Sequence, residues 1–215
     1  MLGRRHGDQR RARGIHPRDG YAQRVEGQAF GKTECWYVLS AAPDAQLVVG
    51  WSRHTSRDEY ERRVADGTLG ELLRKVSVKA GDTVYVPAGL VHAIGPGVTI
   101  FETQQASDLT YRMFDWDRLG LDGKPRELNV RKAADVLDYR VGGAPTLAQI
   151  DYRYDGLNRI ALIADPRFTV ERIVATAHPV SIPTDGRPLI LMSLEHPKTS
   201  SAAERTPHCR SIRPS

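Results

Sequence analysis

Three residues of this 215-residue chain, His16, Glu34 and His92, are of the types that hold a catalytic metal. His92 stands in GDTVYVPAGLVHAIGPG (81–97), at a spacing that reads Gly81, five residues, Pro87, one residue, Gly89, two residues, His92. Val84, Tyr85 and Val86 are β-branched and aromatic, as strands prefer. Pro87 ends that strand by removing a ladder donor, and Gly89 permits the positive φ of a tight turn, so the chain doubles back and His92 opens the returning strand. A ring held there is rigid, as a metal ligand must be. An imidazole in an apolar strand also serves as an ordinary core residue with one satisfied hydrogen bond, so the rest of the chain decides between the two.

His16 lies in GIHPRDGYA and Glu34 in GKTECWYVL. Two histidines and a glutamate, with one position left for water or substrate, are a common ligand set for catalytic zinc. Strand alternation puts Lys32, Glu34, Trp36 and Val38 on one face, and Cys35 and Tyr37 on the other. A second constellation follows in FETQQASDLTYRMFDW. There Glu102 and Gln104 share one parity, and Asp108, Thr110 and Arg112 share another. Facing one barrel mouth, these would surround a metal with an arginine, a lysine and carboxylates; on a solvated strand face they would be paired charges and no more.

The elements that must position these residues are mostly short strands: 34–40, 46–51, 75–82, 83–89, 97–105 and 108–116, then 159–165, 167–176 and 187–194. Their spacing predicts an antiparallel sandwich or barrel. One helical stretch, 56–76, opens with Ser56 as N-cap and Glu59 three residues on, a capping box, and Gly67 breaks it into two short helices. Residues 117–155 read as a connection, briefly helical around 130–138.

The net charge of +5 is unevenly placed. Residues 1–15 carry five Arg and one Asp, and residues 196–215 carry one Lys and three Arg against one Glu, which leaves the middle slightly acidic. Basic residues confined to polar ends, without a folded face or aromatic support, argue against a nucleic-acid footprint and for disordered ends. The two cysteines, Cys35 and Cys209, give neither a disulfide framework nor a CxxC metal site. No apolar run reaches the length of a membrane span, and the charged N-terminus lacks the hydrophobic stretch of a secretory signal, so a cytoplasmic location is expected.

The Gly-x5-Pro-x-Gly-x2-His pattern resembles the second motif of the cupin superfamily. Together with GKTECWY, TQQASDLTYRMFDWDR and GKPRELNVRKAADVL, in that order along the chain, it resembles the type I mannose-6-phosphate isomerases of the short bacterial kind over roughly residues 15 to 195. The resemblance implies a mainly β fold, a cupin jelly-roll barrel with a small helical insertion and a partial second cupin domain. It divides the chain into a disordered segment (1–15), a catalytic barrel (16–116), a connecting segment (117–155), a partial second β domain (156–195) and a disordered tail (196–215).

The same resemblance implies interconversion of mannose 6-phosphate and fructose 6-phosphate through a cis-enediol, with one Zn2+ per chain on His16, Glu34 and His92. Arg112 falls on the family's active-site arginine, Lys32 on the lysine before the glutamate ligand, and Asp108 on an acidic residue suited to work with His16 in ring opening. The base for the C2 proton stays open among Lys32, Glu102, Asp108 and a metal-bound water. The implied partner is a small-molecule sugar phosphate, with no nucleic acid and no membrane, and the oligomeric state is left open. Two positions depart from the pattern: Gly14 stands where the family has a glutamine two residues before the metal histidine, and Arg18 where an acidic residue follows His-Pro. The family also implies strands before residue 16 and after residue 195 that the sequence does not display, as in a chain truncated at both ends. A non-catalytic cupin that binds a sugar phosphate or metal, or an inactive remnant, are the alternatives.

Overall fold

The computed structural model describes residues 2–6, 13–114, 123, 127–142, 146–154, 157–174, 182–184 and 186–194. The chain divides into two compact units, residues 1–176 and 177–215. In the first unit two antiparallel sheets enclose a core. One has the order β1 (Leu2–His6), β8 (Val98–Gln104), β3 (Glu34–Ala41), β6 (Thr83–Val86). The other has the order β5 (Leu73–Ser77), β4 (Gln46–Trp51), β7 (His92–Ile94), β2 (Arg13–Ile15), β9 (Tyr111–Phe114).

The period-2 alternation of these strands decides what faces what. Trp36 and Val38 of β3, Val84 and Val86 of β6, and Val98 and Ile100 of β8 meet Leu47, Val49 and Ile94 of the second sheet in one buried cluster. Side chains of this size are worth about 1.5–3 kcal/mol each when fully buried, which is what holds the two sheets face to face. On the outer face of the second sheet, Ile15, Trp51, Tyr111 and Met113 pack under helical residues Tyr60, Ala133, Ala134 and Val136. The register pairs Gly14 with both His92 and Arg112, and Ile15 with Tyr111. Hence Gly14, His92 and Arg112 share the inner face, and Ile15 and Tyr111 the outer one.

The helical layer follows its local signals. Helix α1 (Asp19–Tyr21) runs into a π-helical turn over Ala22–Glu26. Helix α2 (Arg57–Ala65) starts at Ser56, whose hydroxyl accepts from the Glu59 amide at 3.2 Å. The Glu59 carboxylate does not return to Ser56; it accepts from Arg53 and Thr55 instead. At φ +70° Gly67 ends the helix, and a 3-10 turn at Leu69–Leu72 follows, so the break expected there is present. Helix α3 (Val130–Val136) lies where the brief helical pattern predicts it.

Three strand expectations are corrected. Within the Arg-rich segment 1–15, expected from composition to lack order, Leu2–His6 and Arg13–Ile15 form β1 and β2, because open sheet edges at β8, β7 and β9 pair with their backbone. The polar stretch Ile150–Tyr154 is a strand, β10, and pairs with β11 (Leu157–Asp165), which pairs with β12 (Phe168–Val174), in a third antiparallel sheet. The apolar run 187–194 is described without a strand, and Leu189, Ile190, Leu191 and Met192 are exposed. Strand-type composition makes a strand only where a neighbouring edge completes the ladder. In this second unit the Arg187 amide donates to the Thr184 carbonyl at 2.9 Å. Among the described residues no helix is long and apolar enough to cross a membrane.

Candidate metal centre

The two sheets converge on one buried group. His16 follows β2, Glu34 opens β3 and His92 opens β7, and one ligand-capable atom from each lies within 4.8 Å of the other two. Each position follows from the local chain. Gly89, at φ +93°, makes the turn before β7, and its amide donates to the His16 carbonyl at 2.9 Å, so the turn that places His92 also ties down His16. Gly31 lets the chain before β3 pass close to the segment after His16: a Cβ there would stand 2.3 Å from the Pro17 carbonyl oxygen. The Lys32 amide then donates to that same carbonyl at 3.2 Å.

Hydrogen bonds fix the protons on both rings. Nδ1 of His16 donates to the Leu109 carbonyl and Nδ1 of His92 to the Leu90 carbonyl, each at 2.9 Å. A carbonyl can only accept, so each neutral ring carries its proton on Nδ1 and leaves Nε2 as a bare lone pair. Burial holds His16 below the ordinary histidine range against the pull of Glu34. Burial, with His16 beside it, pushes His92 down to about 3. The rings stand 4.5 Å apart, and Trp36 meets His92 edge-on at 5.5 Å.

Glu34 is ionised. Burial opposes its charge, yet the carboxyl stays below the usual range, with the Lys32 ammonium beside it as the positive charge. Its Oε1 lies 3.1 Å from His16 Nε2 and 3.1 Å from Lys32 Nζ, and its Oε2 accepts from the Trp36 indole at 3.1 Å. The bare Nε2 of His16 therefore faces a carboxylate oxygen with no proton to share, and it is a buried nitrogen without a hydrogen-bond partner. Two electron-pair donors so placed, with a second imidazole beside them, suit a divalent cation of the zinc type, which takes two nitrogens and one oxygen from protein in many catalytic sites.

Lys32 thus joins the three predicted ligands directly. Arg112, half-buried on β9, shares the inner face through its register with Gly14. A Cβ built on Gly14 would lie 4.0 Å from His92 Nε2, so that position faces the ring and offers no donor. Register also places Gln104 opposite Glu34 and Glu102 opposite Trp36, both buried on the inner face. Asp108, in contrast, is exposed in the loop before β9, and the parity with Arg112 expected of it does not apply because the strand begins only at Tyr111. Arg18 points away, its guanidinium 3.5 Å from Asp138.

Sequence reasoning missed the residues that brace the ligands. The Asp19 carboxylate accepts from the Gly31 amide at 2.7 Å and from Gln105 Nε2 at 2.9 Å, and Gln105 Oε1 accepts from the Thr33 amide at 2.8 Å. Partial burial raises the Asp19 pKa, but these hydrogen bonds outweigh it and leave the carboxyl lowered. The chain of contacts from Asp19 through Gln105 sets the residues on either side of Lys32. Trp36 was within reach of sequence analysis, since alternation alone puts it on the face of Glu34. Cys35 points the other way; burial pushes its thiol up to about 12, which keeps it protonated and unreactive.

A buried His–Glu–His group between two facing antiparallel sheets, entered through a Gly-Pro-Gly-His turn, defines a cupin. A solved mannose-6-phosphate isomerase from Bacillus subtilis superposes with a TM-score of 0.71 and 34% identity over 77% of this chain and 52% of that one. A mannose-6-phosphate isomerase of Streptococcus mutans is 43% identical over 156 residues, which is 73% of this chain and 48% of the relative. Another from Bacillus subtilis is 46% identical over 124 residues, 58% of this chain and 39% of the relative. By sequence and by fold the matched part of the chain is homologous to mannose-6-phosphate isomerases, and the chain spans about half the length of the relatives it matches or less. No protein-family model matches it.

Proposed function

We propose that this protein is a zinc-dependent aldose-ketose isomerase that interconverts mannose 6-phosphate and fructose 6-phosphate through a cis-enediol. One Zn2+ per chain is held by His16, Glu34 and His92. The observation that carries the reading is the meeting of two imidazole lone pairs and an ionised carboxylate within 4.8 Å, in a chain whose relatives are mannose-6-phosphate isomerases. Zinc bound there supplies Lewis acidity, polarising the substrate oxygens so that the neighbouring carbon-bound proton becomes acidic.

The side chains supply the rest. Arg112, always charged and offering a planar fork of donors, stabilises the negative charge that develops on the enediolate. Lys32, paired to Glu34, adds a positive charge at the ligand and binds a substrate oxygen or the phosphate. Asp108 is assigned to ring opening together with His16, whose Nδ1 donates to the carbonyl of the next residue, Leu109. Lys32, Glu102 and Asp108 are this chain's available bases for the C2 proton. The domain division expected from sequence, a catalytic barrel over 16–116, a connection over 117–155 and a partial second β domain over 156–195, is proposed with two changes: β1 and β2 join the barrel, and Ile150–Tyr154 joins the sheet of β11 and β12. The setting is cytoplasmic carbohydrate metabolism, with a small sugar phosphate as partner.

Gly14 favours a second reading. With no donor at the position that faces His92 Nε2, the chain would serve as a cupin that binds metal or sugar phosphate without turnover. A coupled assay of mannose 6-phosphate conversion on zinc-supplemented protein, with metal content measured on the same sample, separates the two. Zinc near one per chain with turnover supports the isomerase, and zinc without turnover supports the binding module. Neither zinc nor turnover would overturn both and leave a chain without activity.

A further inference from the structure

A cleft of about 490 Å³ opens around the 87–90 turn that joins the two sheets. Strand parity keeps it off the inner face: Tyr85, in its wall, is the register partner of the outward-facing Cys35. Its remaining walls come from the 87–90 turn, the segment 138–142 after α3 and the β11–β12 turn. Three arginines from three separate segments, Arg18, Arg140 and Arg167, line it against a single carboxylate, Asp138.

The donor balance of this cleft is one-sided. Arg140 grips Asp138 through Nε at 2.9 Å and Nη2 at 2.7 Å, and Arg18 reaches it through one nitrogen at 3.5 Å. Arg167 is held by Asp165 at 3.2 Å and by Asp19 at 3.5 Å. Each guanidinium has five N–H donors, and these contacts leave several on Arg18 and Arg140 uncommitted. His54 also lines the cleft; its Nδ1 accepts from the Val141 amide at 3.3 Å, so the neutral ring carries its proton on Nε2, as one more donor. The Thr33 hydroxyl completes the polar rim, while Pro87, Ala88, Leu90 and Val141 give an apolar floor. Two guanidiniums that meet at Asp138 with donors to spare, beside an apolar floor, are what a phosphate-bearing small molecule fits: the phosphate takes the free N–H donors and the carbon skeleton takes the floor.

We propose that this cleft is a binding site for a phosphorylated small molecule, separate from the metal centre. The backbone joins the two: Arg18 lies two residues after His16, and the Gly89 amide in the cleft wall donates to the His16 carbonyl at 2.9 Å. The test is calorimetric titration of inorganic phosphate into the full-length protein, its Arg18→Ala/Arg140→Ala variant and an Arg112→Ala variant. The two substituted arginines, Arg18 and Arg140, are more than half exposed, at 56% and 78%, so the double variant keeps the fold, which its thermal melt checks. Loss of two charge-assisted contacts lowers phosphate affinity about tenfold or more, while Arg112→Ala keeps the cleft's binding. Absence of phosphate binding to the unaltered protein, unchanged binding in the double variant, or binding abolished by Arg112→Ala alone would each overturn the proposal. The last result would place the anion at the barrel mouth and leave the metal-centre reading intact.

Discussion

At the scale of single residues, the chemistry rests on where three lone pairs point. His92 illustrates why type and spacing are not enough: an imidazole in that turn is placed to act as a ligand only because Leu90 takes its Nδ1 proton and ligand atoms of Glu34 and His16 lie within 4.8 Å of the ring's own. His92→Ala should remove bound zinc and isomerisation together. The fall in affinity, read by chelator competition, should exceed the roughly 10–100-fold that losing a mere supporting partner costs; full activity without His92 would sink the site assignment. Gly14 invites the opposite change. A Cβ there lies 4.0 Å from His92 Nε2 and 3.2 Å from the Thr110 methyl, which must give by a few tenths of an ångström, so Gly14→Gln brings an oxygen donor toward the centre at the cost of a small shift of Thr110. Tighter zinc retention against the same chelator is the expected result, and unchanged or weaker retention would refute it.

Among the elements, α2 and the segment after α3 brace the barrel from outside. Ser56 caps α2 with one hydrogen bond, and Ser56→Ala should cost about 1 kcal/mol in urea unfolding, with zinc content unchanged. Asp138 gives the segment after α3 a pH dependence. Hydrogen bonds from Arg140, against the opposing effect of burial, hold its carboxyl at about 2. A carboxylate lowered in the folded state gives its full stabilisation above the unfolded aspartate range, near 4, and loses it as pH falls toward 2. Melting temperature followed from pH 5 to pH 2 should therefore drop less steeply in Asp138→Asn than in the unaltered protein, and parallel curves would count against this role.

For the whole molecule, the metal centre is a fastening between sheets: Glu34 belongs to one, while His92 belongs to the other and His16 follows directly from it. A cation that binds only when both sheets are in place stabilises the folded chain by mass action, by about 2.7 kcal/mol when free zinc is a hundredfold above its dissociation constant. Zinc should raise the melting temperature of chelator-stripped protein, magnesium should not, and the rise should vanish in His92→Ala. An equal response in that variant would mean zinc binds elsewhere.

Local sequence carried a good part of this. Residue type, turn chemistry and alternation marked His16, Glu34 and His92, put Lys32 and Trp36 on the ligand's face, and set the limits of α2 and most strands, because each depends on neighbours within a few positions of the chain. Only the tertiary structure decided which of those groups meet. It made strands of 2–6 and 13–15 and of the polar 150–154, left the apolar 187–194 without one and set Asp108 in an exposed loop, because ladder partners come from strands distant in sequence. The Asp19–Gln105 brace and the three-arginine cleft were illegible for the same reason: their members lie 86 positions apart in the one and on three separate segments in the other, and no local pattern links them.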